Sequence, residues 1–97
     1  MDNAARNVLA ETAIMSLAPN PFRYSTNFKI QLPKGGEYQL QVFDVSGKEI
    51  SSEKLELVEG TNRLDYDGSH LTKGFYSYRL SNNQGFISGK MIVVEGN

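Results

Sequence analysis

Asp65-Tyr66-Asp67-Gly68 has the opening spacing of a calcium-binding loop, with two carboxylates separated by one residue. The full pattern needs further oxygen ligands and a terminal glutamate, which the residues after Gly68 do not provide. The segment therefore reads as a strand end followed by an Asp-Gly turn. His70 is the single histidine, and without a cysteine or a second histidine it has no partner with which to build a metal site. It reads as a surface residue in a polar loop. Ser69 and His70 are adjacent, with Asp67 nearby, but a catalytic triad is assembled in space rather than along the chain. Neither a nucleophile elbow nor an oxyanion site accompanies these residues. No catalytic role, metal or cofactor is expected anywhere in the chain.

Two features bear on binding instead. Tyr24, Phe43, Phe75 and Phe86 could expose aromatic surface of the kind that stacks on sugars, or could fill core and corner positions. Spacing alone does not make them coplanar. Gly89-Lys90 precedes the apolar run Met91-Ile92-Val93-Val94. Such a strand can offer main-chain hydrogen bonds and an exposed lysine to a partner. It can equally be core, with the lysine merely solvated.

The elements that would position these residues follow from period-2 patterning. In Gly74-Phe75-Tyr76-Ser77-Tyr78-Arg79-Leu80, residues Tyr76, Tyr78 and Leu80 share one face, and Ser77, Arg79 and Ser81 share the other. Comparable runs are expected at residues 12–18, 26–32, 37–44, 48–57, 63–67 and 86–95, which makes seven strands with the one at 74–80. Pro19-Asn20-Pro21 ends the first run, because proline donates nothing to a ladder; it is expected to carry the chain from one sheet to the next, over a buried Phe22. Asp44-Val45-Ser46-Gly47 predicts a type I turn with Gly47 left-handed and Asp44 bonding the backbone ahead. Inward parity changes between Ile50 and Leu55, which predicts a bulge or a strand switch. The continuous run at residues 91–94 predicts a last strand packed on both sides. The fold class is all-β, a seven-stranded antiparallel immunoglobulin-like β-sandwich over residues 12–97, preceded by a linker remnant or disordered lead-in at residues 1–11.

Composition narrows the function classes. The chain has 97 residues, one domain's worth, and its 39% hydrophobic content is a lean but sufficient core. Cysteine is absent, so neither a disulfide nor a thiolate metal site exists. The formal net charge is −1 with dispersed charges, which argues against nucleic acid or an anionic membrane as partner. No apolar run approaches the roughly 20 residues of a membrane helix, so direct membrane insertion is not expected. The first residues carry no signal-peptide pattern, so either the chain stays inside or its export signal lies upstream.

In this order the pieces resemble the C-terminal sorting domain, type A, of proteins exported by the type IX secretion system of Bacteroidota-type bacteria. They are Pro19-Asn20-Pro21-Phe22, Thr26 onward to Leu32-Pro33, Val42-Phe43-Asp44-Val45-Ser46-Gly47-Lys48, Asn62 onward to Asp67-Gly68, Leu71, Gly74-Phe75-Tyr76-Ser77-Tyr78-Arg79-Leu80, and Lys90-Met91. Tyr66 stands where many members carry tryptophan. The resemblance implies a non-catalytic module behind an N-terminal passenger, recognised by the outer-membrane translocon. It also implies removal by a sortase-like protease cutting within residues 3–12, with the passenger left on the cell surface. Gly89, Lys90, Met91, Ile92, Val93 and Val94 are the expected translocon-recognition residues. Other readings are a carbohydrate-binding or adhesion module, and a passive immunoglobulin-like spacer, of an exported enzyme.

Overall fold

Side-chain alternation settles which residues meet. The computed structural model describes residues 7–95. Seven strands run β1 (Ile14–Ala18), β2 (Ser25–Leu32), β3 (Gly36–Asp44), β4 (Glu49–Leu57), β5 (Gly60–Asp67), β6 (Gly74–Asn82) and β7 (Gly85–Val93), behind one short helix, α1 (Val8–Thr12). They form two antiparallel sheets, ordered β1-β2-β5 and β4-β3-β6-β7. The expected strands all form, with ends displaced by a few residues.

Alternate residues of each strand face the space between the sheets. Phe28, Ile30 and Leu32 of β2 meet Tyr38, Leu40 and Val42 of β3, Tyr76, Tyr78 and Leu80 of β6, and Met91 and Val93 of β7. Phe28 sits at the centre. Its ring is edge-on to Tyr66, with centroids 6.0 Å apart, and to Tyr78 at 5.1 Å. Edge contacts of this kind add about 0.5–1.5 kcal/mol each beyond area burial. Tyr66 thus provides core aromatic bulk.

The turns follow their residue chemistry. Gly47 has φ +88°, its N–H donates to the Asp44 carbonyl (3.0 Å), and Asp44 Oδ1 accepts from the N–H groups of Ser46 and Lys48. The β3–β4 pairing slips beside Phe43: Val42 opposes Ser51 and Phe43 opposes Glu49, leaving Ile50 as the extra residue. That bulge produces the parity change read between Ile50 and Leu55.

Two expectations are corrected. The Pro19-Asn20-Pro21 corner does not carry the chain between sheets, because β1 and β2 are neighbours in one sheet. It leans across instead, and Phe22 forms an isolated parallel bridge with Val93 of the other sheet. The last strand is not packed on both sides. Met91 and Val93 are buried, Ile92 is half-buried on the outer face, and Val94 is exposed. Within the lead-in, Val8–Thr12 is helical, and Leu9 is 3% exposed within the core cluster. Asn7 makes this possible as N-cap, its side chain accepting from the Ala10 N–H at 3.2 Å. The expectation for residues 1–6 lies outside the described residues.

Candidate functional site: the closed last strand

Three motif segments far apart in sequence meet around one side chain. Phe22 is 2% exposed. A Cβ added at Gly68 would overlap the Phe22 ring and touch Leu71, so Gly68 supplies the flat floor on which that ring lies. The Gly68 N–H donates to the Tyr24 carbonyl (2.8 Å), and the Leu71 N–H to the Gly68 carbonyl (2.9 Å). Ring and backbone of Phe22 do different work. While the ring fills the core, its N–H donates to the Ile92 carbonyl (3.0 Å) and its carbonyl accepts from the Val94 N–H (2.8 Å).

Asn20 continues this closure along β7. Its side-chain nitrogen donates to the Lys90 carbonyl at 3.2 Å, and its side-chain oxygen accepts from the Ile92 N–H at 3.0 Å. At the opposite end of the strand, Asn7 Oδ1 accepts from the Phe86 N–H at 2.8 Å, and the Val8 N–H donates to the Gln84 carbonyl at 3.0 Å. The outer edge of β7 is therefore occupied at several of its backbone groups. Strand addition by a partner would first have to displace Asn7, Asn20 and Phe22.

The expected recognition residues divide into two sets. Met91 and Val93 point into the core. Gly89 also faces inward, and an added Cβ there would overlap the Tyr78 ring, which occupies the space a side chain would need. Burial pushes the Tyr78 hydroxyl above its ordinary pKa. Lys90 and Ile92 face outward and Val94 is exposed, so these three present side chains to solvent. The remaining motif residues are turn and corner residues. Tyr76 is buried, and its hydroxyl donates to the Thr72 carbonyl at 2.7 Å, tying down the loop between Gly68 and Gly74. Gly74 opens β6 with φ +148°. Asp67 Oδ1 accepts from the Ser69 N–H at 3.0 Å.

Asp44 and Asp67 are held below the ordinary carboxylate range. For Asp44 the cause is first the Ser46 hydroxyl and then the Lys48 N–H; for Asp67 it is first the Ser69 N–H and then its hydroxyl. Both carboxylates are thus committed to their turns. Among the described residues no group of three or more His, Asp or Glu side chains is placed to hold a metal. His70 is exposed, with its ring 6.4 Å from that of Tyr66. A cavity of about 670 Å³ lies between α1 and the β2–β3 and β6–β7 turns, lined by Leu9, Gly35, Tyr38 and Asn83 among others. No catalytic constellation is assembled there.

The aromatic residues separate. Tyr24 stands alone on the corner loop, 59% exposed. Phe43, Phe75 and Phe86 share the outer face of the four-stranded sheet, with Arg79 4.5 Å from the centre of the Phe86 ring. Reading the sequence did not single out Asn7, Leu9 or the side-chain role of Asn20. An N-cap asparagine ahead of Val-Leu-Ala-Glu was the available signal for the first two. Asn20 has no local signal, since its partners lie 70 and 72 residues away.

No curated protein matches the chain closely enough to count as a relative. The model of the secretion system C-terminal sorting domain family matches residues 16–94. That span runs from within β1 to just past β7 and takes in the Pro19–Phe22 corner, the Asp44 turn, the Gly68 floor and the strand they close upon. Helix α1 lies before it, and the chain belongs to the family of type IX secretion system C-terminal sorting domains.

Proposed function

We propose that this domain, as a type A member, works as a folded, non-catalytic address tag: the machinery of the outer membrane docks it intact and a sortase-like component then removes it. The match over residues 16–94 carries this reading, since that family comprises sorting signals for type IX export. Its passenger is joined on the N-terminal side and ends at the cell surface. Strand order β1-β2-β5 against β4-β3-β6-β7 supports an immunoglobulin-like sandwich. So does the Tyr76 hydroxyl returning to the backbone of the preceding loop, a device of that fold.

Within the recognition segment the residues divide by role. Gly89, Met91 and Val93 act through the fold, whereas Lys90, Ile92 and Val94 are available to the translocon. Recognition uses side chains of the assembled β7 rather than its backbone edge. Removal acts before β1. Residues 8–12 of the expected cleavage span are held in α1, and a protease takes extended chain, so a cut there requires α1 to undock from β7.

The test is a fusion of the 97-residue chain to a periplasm-targeted reporter in a host with a working type IX system. Reporter is expected outside the outer membrane. Reporter held in the periplasm, with the domain folded, overturns the reading.

A further inference from the structure

The two outer faces of the sandwich differ in character. On the three-stranded sheet the outward positions include Asn27, Lys29, Gln31, Arg63 and Asp65, polar residues of both signs. Its large exposed apolar residue, Ile14, lies on the marginal strand β1. The four-stranded sheet is otherwise. Phe75 stands opposite Ile92, and Phe43 and Lys90 flank Ser77 on either side. Phe43 and Phe75 are therefore diagonal neighbours, within reach of one another's rings. Phe75 is 63% exposed in the body of the sheet, where a lone strand position would ordinarily be polar.

Charge on the β6–β7 half of this face is one-sided. The outward positions of β6 and β7 are Phe75, Ser77, Arg79, Ser81, Phe86, Ser88, Lys90 and Ile92, which carry two cations and no carboxylate in a chain of net charge −1. Acidic residues lie on the β3–β4 side, with Glu49 opposite Phe43 and Glu37 opposite Glu56 towards the other end of β3. Arg79 is preorganised, its guanidinium resting on the Phe86 ring at 4.5 Å, with no acid among the described residues in an ion pair with it. Preorganised cations among exposed aromatic rings are the composition of a protein–protein hot spot.

We infer that the outer face of β3, β6 and β7 is the surface by which the domain docks on the secretion machinery, and that it takes a protein surface presenting carboxylates beside apolar side chains. This rests on the sorting reading and names the surface that reading leaves open. Arg79 and Lys90 receive the carboxylates; Phe43, Phe75 and Ile92 form the apolar half. Charge complementarity selects the partner, and burial of Phe75 slows its departure.

The experiment uses the reporter fusion of the whole chain with three variants: Arg79→Glu with Lys90→Glu, Phe75→Ser, and Lys29→Glu with Arg63→Glu on the opposite face. Thermal unfolding checks that each is folded, and Arg79→Gln with Lys90→Gln replaces the charge-reversed pair if that pair is not. The first two variants are expected to lower exported reporter by about tenfold or more, the loss typical of a hot-spot residue. The opposite-face variant should export at the wild-type level. Equal export of all three, with the wild type exported, overturns the docking face and leaves the sorting reading standing. A wild-type fusion that is not exported removes both. Vesicles of phosphatidylethanolamine and phosphatidylglycerol supply the remaining arm. Sedimentation of the purified domain with them, lost in the Arg79 and Lys90 variant, would assign the face to lipid and overturn the protein partner.

Discussion

Asn20 holds two backbone groups of β7 with one side chain, donating to Lys90 and accepting from Ile92. Replacing it by alanine removes both bonds from a partly solvated edge, which is expected to cost about 1–2 kcal/mol. For a domain of this size that lowers the thermal midpoint by roughly 4–8 °C per kcal/mol, measurable by circular dichroism. Gly89 and Lys90 give a sharper contrast between neighbours. Gly89→Ala drives a methyl into the Tyr78 ring and is expected to cost about 1–3 kcal/mol. Lys90→Ala removes an outward side chain and should stay within about 0.5 kcal/mol. Equal effects from the two would contradict their assigned faces. Asp44 and Asp67 set the acid response. Their folded pKa values are depressed, so the stability they contribute is present above the ordinary carboxylate pKa and lost as pH falls through the folded value. The thermal midpoint should therefore drop below about pH 4, and Asp44→Asn with Asp67→Asn should flatten that drop.

At the scale of elements, α1 is short but not ornamental. Five residues form no stable helix alone, so it persists by docking Leu9 and by the Asn7 cap. Leu9→Ala is expected to cost about 2 kcal/mol, the low end for a buried leucine, because a docked helix can settle towards the smaller side chain. Hydrogen exchange should then open the Gln84 and Phe86 end of β7 first. The strands themselves were legible because alternation is local: Phe28, Ile30 and Leu32 announce their face without reference to any other segment. So were the Gly47 turn and the bulge at Ile50, each written in a few adjacent residues. What could not be read is non-local. A Pro-Asn-Pro corner looks the same whether it crosses between sheets or stays within one, and only the pairing of β1 with β2 decides. Likewise, the run Met91-Ile92-Val93-Val94 gives no sign that a second sheet covers one side alone. Of the proposed recognition segment, the sequence located the strand but could not divide Gly89, Met91 and Val93 from Lys90, Ile92 and Val94.

Across the whole molecule, the two sheets are joined at one flank by the corner and α1, whereas β4 and β5 form the other flank with lighter cross-links, such as the Ser51 and Tyr66 hydroxyls at 3.4 Å. Trimming residues 91–97 should abolish both folding and export, since it removes the buried Met91 and Val93 and uncovers the Gly74–Tyr76 end of β6. A melting curve on the trimmed protein separates the two losses: a cooperative transition persisting without Met91 and Val93 would contradict their place in the core. The grip of Phe22 and Asn20 on β7 has a consequence in time. A ribosome delivers the corner early and its counterpart some seventy residues later. Until then Phe22 has no β7 to bridge, and an interrupted translation product keeps its apolar interior open. Native closure therefore waits on translation through Val94, whose N–H makes the last of these bonds to the corner.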